Sequence, residues 1–294
     1  MNRLATLLGT GRPVLLDGGM GTLLQDSGLE DGAPGELWNL ENPVAVRAAH
    51  AAYAEAGARI LTTNTFGGTR PRLDMHGLGD RLHEVNRNAA QLARSVADEH
   101  GLLVAGDLGP TGELLAPLGT MTADETQALF AEQAAALVEG GVDLILVETL
   151  SDLGEADAAI AAAQAVAPDL PVIVTMSFDT NLRTMMGVRP GDAVAHLAAA
   201  GVDAVGANCG RGPAEMEVIA AEMAQARTGG LLLVAQSNAG LPQVVGDHFE
   251  YDATPDDLAA HAARLTDLGI DLVGGCCGST PAHIAAMGVL LTPA

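Results

Sequence analysis

The sequence predicts an α/β fold of the (β/α)8 TIM-barrel type, built as one domain over residues 1–294. Three observations predict it. A unit recurs in which an Ala-rich helical stretch meets a Gly and then a short apolar run. Further apolar runs of strand length lie between these units, and the polar residues able to do chemistry gather at the C-terminal ends of the runs. A barrel of eight such units commonly needs about 250 residues. No linker, low-complexity tract or charge run divides this chain.

In chain order, the first strand is expected at 13–17, PVLLD, and the second in EAGARILTTNT around Gly57. The third is LLVAGD at 102–107, the fourth lies in EGGVDLILVET around Gly141, and the fifth is PVIVTMS at 171–177. The sixth lies in AAGVDAVGANC around Gly201, the seventh in GLLLVAQS at 230–237, and the eighth in DLGIDLVGGCC around Gly269. In four of these a Gly stands where a helix must end on a left-handed residue before the chain turns into a strand. Runs apolar on both faces suit parallel strands covered on both sides. Their C-terminal ends carry Asp17, Asn64, Asp107, Glu148, Ser177, Asn208 with Cys209, Ser237 with Asn238, and Cys276 with Cys277. In a barrel those ends converge on one face, where active sites are found. Segment 238–256, NAGLPQVVGDHFEYDATPD, is long for such a connection and reads either as a lid over the mouth or as a solvated acidic loop.

Charge and composition narrow the function. A formal charge of −23 offers no clustered basic surface to a phosphate backbone, so neither nucleic acid nor an anionic membrane is an expected partner. All 14 basic residues are Arg, which removes Schiff-base lysines, a pyridoxal phosphate anchor and the P-loop lysine. No apolar run approaches the ~18 residues of a membrane span, and the start carries no signal-peptide core, so a cytoplasmic location is expected. Three Cys cannot form a disulfide framework, and in a reducing compartment they serve as metal ligands, nucleophiles or core residues.

Cys276 and Cys277 sit between Gly275 and Gly278 at the end of the eighth run, where glycines give the backbone the freedom to turn both sulfurs toward one point. Cys209 ends the sixth run, so a barrel brings three thiols together. Such a set is soft, suits Zn²⁺, and leaves a fourth tetrahedral position open. Inert packing, or a redox-regulated barrel with a vicinal Cys276–Cys277 disulfide, are the competing readings. Three thiolates quench a metal's power to activate water, but an incoming thiol bound there is held as a nucleophilic thiolate. That chemistry points to alkyl transfer onto sulfur.

Asp17 and the glycine-rich loop behind it, with Gly18, Gly19 and Gly21, offer backbone N–H groups to a carboxylate and a counter-charge to an ammonium. A dinucleotide fingerprint would need a third Gly that is absent. Glu148, after LILV, is an expensive place for a carboxylate without a cation, and with Asp17 it would recognise an amino acid's ammonium. Asn64 stands near the same ligand or simply forms a turn. None of the eight His falls into a paired metal spacing.

These segments resemble the homocysteine S-methyltransferase family, which includes the betaine and S-methylmethionine enzymes and the homocysteine module of cobalamin-dependent methionine synthase. The resemblance runs from LLDGGMGTLL through ENPVAVRAAHAAYAEAGARILTTNTF, VAGDLGPTG, LILVETL and GANC to GGCCG. It implies a barrel in which Cys209, Cys276 and Cys277 hold zinc and homocysteine sulfur takes the fourth place. It implies that Asp17 and Glu148 bind the amino group, that Gly18 and Gly19 receive the carboxylate, and that Asn64 stands where betaine enzymes carry a Gln. The implied product is methionine. The implied donor is S-methylmethionine or another sulfonium, betaine, or a methylcorrinoid protein acting as a separate partner, toward which ELWNLENP points. Trp38, Phe249 and Tyr251 lie in segments that read as loops, and Thr69 stands near where betaine enzymes place an aromatic. A second reading keeps the zinc and makes the protein a thiol-dependent demethylase of a methylated small molecule.

Overall fold

A computed structural model of the chain describes residues 3–9, 13–30, 32–241, 243–245 and 248–291. Eight parallel strands, β1 (Val14–Leu15), β2 (Ile60–Thr62), β3 (Leu103–Leu108), β4 (Leu144–Leu150), β5 (Val172–Met176), β6 (Ala204–Cys209), β7 (Leu232–Ser237) and β8 (Leu272–Gly275), form one sheet. Their order is β1-β8-β7-β6-β5-β4-β3-β2, and a bridge between Leu16 and Ile60 joins its two ends. All eight expected strands are present, the first cut to two residues. Helices such as Leu82–His100, Ala123–Gly140 and Pro255–Asp267 fill the crossovers. Gly57, Gly141, Gly201 and Gly269 hold φ between +80 and +99, the left-handed ends that the repeated unit required.

Side chains alternate between two cores along every strand, because successive residues of a strand point to opposite faces. Leu15, Leu61, Val104, Ile145, Val147, Val172, Val205 and Val273 point outward and pack against the helices. Leu16, Ile60, Ala105, Leu144, Leu146, Ile173, Ala204, Val234 and Leu272 point inward and fill the barrel. Leu4, from the first helix Arg3–Leu8, is fully buried in this inner cluster and plugs its lower end. Carried one step further on β2, β3, β4 and β7 and two steps on β6 and β8, the inward register reaches Thr62, Asp107, Glu148, Gln236, Asn208 and Cys276. The barrel thus places its polar residues as one layer on top of an aliphatic plug.

Two segments expected to be loops carry regular structure. Trp38 opens a short helix, Trp38–Glu41, and packs beside Leu24, Val46 and Ala49, held there by apolar contact. Within 238–256, Gln243–Val245 pairs antiparallel with His248–Glu250, which places Phe249 on a strand. Pro242, Gly246 and Asp247 of that segment lie outside the described residues. Among the described residues, no helix is long and apolar enough to cross a membrane.

Candidate active site

The three cysteines meet at the C-terminal mouth. Their sulfurs lie within 4.8 Å of one another, with Cys209 and Cys276 Sγ 3.0 Å apart, and all three are free thiols. Cys209 adopts φ +60, a left-handed conformation that a residue with a side chain holds only when its surroundings enforce it. Asn208 is the enforcing neighbour. Its amide nitrogen donates to Thr149 Oγ1 at 2.7 Å, while its Oδ1 accepts from the Thr149 N–H and from Thr175 Oγ1. Thr149 is itself left-handed, at φ +62, so one side chain ties the ends of β4, β5 and β6.

The Cys276–Cys277 turn is fixed mainly by backbone hydrogen bonds. Cys276 N–H donates to the Ser237 carbonyl, and Cys277 N–H donates to Asn238 Oδ1. Ser279 Oγ donates to the Cys276 carbonyl at 2.6 Å. A Cβ on Gly19 would stand 2.6 Å from the Cys276 carbonyl oxygen, so the β1 loop reaches the cysteines because this position is glycine. Tyr53, fully buried, donates from its hydroxyl to the carbonyls of Gly19 and Ser279 and links the two loops. Buried His261 bridges Ser237 Oγ (2.7 Å) and Glu217 (2.8 Å), bracing β7 from outside the barrel. Thiol hydrogen bonds from Cys209 and then Cys276 hold Cys277 far below the ordinary thiol range, at about 3. Hydrogen bonds to Cys209 and Cys277, with burial, push Cys276 well above the ordinary thiol range. Tyr251, from the segment 238–256, packs on Gly278 and hydrogen-bonds Cys277.

A cavity of about 460 Å³ leads from Cys209, Cys276 and Cys277 across the mouth. Asp17, Gly18, Gly19, Asn64 and Glu148 all line it, so the residues expected to form a site are brought together. They differ in what they have left to offer. Both Asp17 oxygens accept from Thr62, from its N–H at 2.6 Å and its hydroxyl at 2.8 Å. Burial nevertheless lifts this carboxyl to about 6. Glu148 makes no hydrogen bond among the described residues, and burial, then Cys277 and Asp17, push it up to about 8. Asn64 donates both amide hydrogens within the protein, to the Gly35 carbonyl and to Asn39 Oδ1, so it anchors the segment around Glu36 to the cavity wall. Buried Glu36, from the stretch ELWNLENP, accepts from Gly67 N–H and adds another acid to the lining. Phe66 is the aromatic residue among the lining. The pairs Thr62–Asp17 and Thr149–Asn208 escaped the sequence reading, since each depends on contacts between different strands.

A model of the homocysteine S-methyltransferase family matches residues 14–291. Over 289 residues the chain is 35% identical to methionine synthase of Mycobacterium leprae and 36% to that of Mycobacterium tuberculosis. Each alignment takes in 93% of this chain and 24% of the mycobacterial protein, so the chain spans about a quarter of the length of these relatives. Among solved structures, the metallated form of the homocysteine methyltransferase MmuM from Escherichia coli superposes with a TM-score of 0.82 at 27% identity, over 98% of this chain and 99% of that one. A methyltransferase from Methanosarcina mazei, at 13% identity and a TM-score of 0.62, shares the fold.

Proposed function

Since the chain belongs to the homocysteine S-methyltransferase family, we propose that it methylates the sulfur of homocysteine and releases methionine, with Zn²⁺ held by Cys209, Cys276 and Cys277. The observation that carries this reading is the cluster of three free thiols opening onto a cavity lined by uncommitted carboxylates. The donor set fits the metal. Sulfurs around tetrahedral zinc at ~2.3 Å per bond stand about 3.8 Å apart, and the spacings here run from 3.0 Å to no more than 4.8 Å. Zinc bound there would supply a fourth position at which an incoming thiol is held as thiolate at neutral pH.

The chain's own residues bind and orient. Asp17 and Glu148 face the substrate's ammonium group, and the loop at Gly18 and Gly19 offers backbone to its carboxylate. Asn64 keeps the cavity wall in place through Gly35 and Asn39. In the transfer, the homocysteine thiol proton passes to solvent and an S–CH3 bond forms. The bond from methyl to donor breaks, leaving its electron pair on the donor. A sulfonium such as S-methylmethionine leaves as a neutral thioether, and betaine leaves as a tertiary amine. The third donor class is a methylcorrinoid protein, a separate partner in keeping with the methionine synthase relatives. We read residues 1–294 as the single homocysteine-binding domain.

The test crosses homocysteine with S-methylmethionine, betaine and methylcobalamin and measures methionine, with zinc determined on protein purified without chelator. Methionine from one donor class and about one zinc per chain are expected. Absence of zinc, or full activity in Cys276→Ser, overturns the reading. A thiol-dependent demethylase would instead turn over methylated donors with thiols other than homocysteine.

A further inference from the structure

Two arginines stand two residues apart on the short helix Arg70–Asp74 that follows β2, and they are used differently. Arg70 is committed within the protein: its Nε donates to Glu132 at 3.0 Å and its Nη1 to the Gly79 carbonyl at 3.1 Å. Arg72 has neither a hydrogen bond nor an ion pair among the described residues, although the chain carries a formal charge of −23. It is half-buried and lines the cavity that holds the three thiols, and His76, on the exposed turn behind it, lines the same cavity. A Cβ on Gly112, in the loop after β3, would stand 3.3 Å from Arg72 Cδ and 3.6 Å from Nη1. The arginine side chain therefore lies along that glycine, which fixes its direction.

Elsewhere the cavity has the opposite sign. Asp17, Glu36, Asp107 and Glu148 line it together with the cysteines. A thiolate attacks a methyl carbon from the side opposite the bond that breaks, so the atom that releases the methyl group stands close behind it, near the sulfurs. An onium atom in that place has its positive charge among the acids. A carboxylate on the same donor is repelled by them and attracted to the guanidinium, whose planar fork of N–H donors matches a carboxylate with two parallel hydrogen bonds. At about 460 Å³ the cavity is of a size that takes a drug-sized ligand, so a bound homocysteine leaves room for a second small molecule.

We propose that Arg72 binds a carboxylate of the methyl donor, and that it selects zwitterionic onium donors, positive at the methyl group and negative at the far end. This rests on the reading that the chain methylates homocysteine. In that reading the acceptor's carboxylate lies at Gly18 and Gly19, in the loop after β1, so Arg72 serves a different molecule.

Calorimetric titration of the zinc-loaded protein tests this without turnover. Homocysteine is titrated alone. S-methylmethionine and its carboxamide, and betaine and its carboxamide, are then titrated in its absence; each amide keeps the onium charge and loses the anion. The wild type is expected to bind the acid of one pair about 10-fold more tightly than its amide, the scale of a hydrogen bond between charged groups. Arg72→Gln removes no described hydrogen bond or ion pair. It should bind that acid about as weakly as the amide, keep its affinity for the amide within a few-fold, and leave homocysteine unchanged, and Arg72→Lys should recover part of the preference. A wild type that does not distinguish acid from amide overturns the proposal, and so does a preference that survives in Arg72→Gln. A matching loss for homocysteine overturns it as well, because it assigns the guanidinium to the acceptor's carboxylate. A wild type that binds homocysteine and none of the onium compounds defeats this proposal and leaves the acceptor reading standing. One that does not bind homocysteine defeats that reading, and this proposal with it.

Discussion

At the N-terminal end of the barrel, Asp143, Asp203 and Asp271 each stand just before a strand and each accept a backbone N–H from the strand beside it, those of Val104, Val172 and Leu233. Each also pairs with an arginine: Arg94 at 2.7 Å, Arg3 at 3.0 Å and Arg227 at 3.0 Å. At the C-terminal end, Asp107 and Glu148 occupy comparable places and have no such partner among the described residues, while Asp17 is satisfied by Thr62 alone. One residue type therefore does two jobs. Where its hydrogen bonds are closed within the protein it fastens strand to strand, and where they are left open it faces the cavity and costs stability.

The largest effect expected from this contrast is at the mouth. Cys276→Ser should lower bound zinc to a small fraction of one per chain and reduce methyl transfer by more than 100-fold, since disturbing a ligand's supporting partner alone costs about 10–100-fold. The metal-free variant should melt close to the metal-free wild type, because its thiol stabilises no strand pairing. Elemental analysis and a melting curve check both halves. A variant that binds zinc normally, or cannot fold, breaks the division between the two ends.

At the opposite end the consequence is reversed. Asp203→Ala leaves the Arg3 guanidinium and the Val172 N–H without their acceptor in a place where Asp203 is 6% exposed. A loss of about 1–3 kcal/mol is expected, chiefly from the buried backbone N–H left without an acceptor, because the arginine is 37% exposed and water takes up its charge. It should appear in a denaturant titration, with homocysteine affinity of the folded fraction unchanged. A stability loss below about 1 kcal/mol would mean that the lower acids are ornamental.

Much of this contrast was written in the chain. The Gly-then-apolar unit located the strands, and the polar residues after LLVAG, LILV, GAN and VGG marked the mouth. The same two-residue alternation that places Leu144 and Leu146 inside also reaches Glu148, and on β3 it reaches Asp107. Position was legible; commitment was not. Asp17 and Asp107 look alike in sequence, and only the neighbouring strand shows that Thr62 occupies one and no described residue occupies the other. Asn208 was visible as a strand-end polar residue, but its grip on Thr149 and Thr175 needs three strands at once. The hairpin within 238–256 was missed because its strands are three residues each, too short for a pattern to emerge.

The pH dependence of stability separates the ends more finely. Burial raises Asp17 from 3.8 to about 6, so the folded protein holds this proton more tightly than the unfolded chain does. The resulting stabilisation is complete below 3.8 and is lost as pH rises through about 6, an interval corresponding to at most about 3 kcal/mol. The urea midpoint of ligand-free protein should fall between pH 4 and 6.5, and Asp17→Asn should flatten that part of the profile. A midpoint that rises across the same interval would show Asp17 to be held by a cation, as the lower acids are.

The smallest effect is the most discriminating, because it asks whether one unpartnered carboxyl destabilises the empty protein. Asp107→Asn keeps the shape of the side chain, breaks no hydrogen bond found among the described residues, and removes a charge that burial, then Glu148, Glu36 and Asp17, all disfavour. The empty variant should be more stable at pH 8 by about 1–2 kcal/mol, the scale of a buried polar group without a partner. The gain should shrink as pH falls toward and below 3.8, where the wild-type carboxyl becomes neutral in both states. If Asp107→Asn is less stable even without ligand, Asp107 has a structural partner and belongs with the acids at the other end of the barrel.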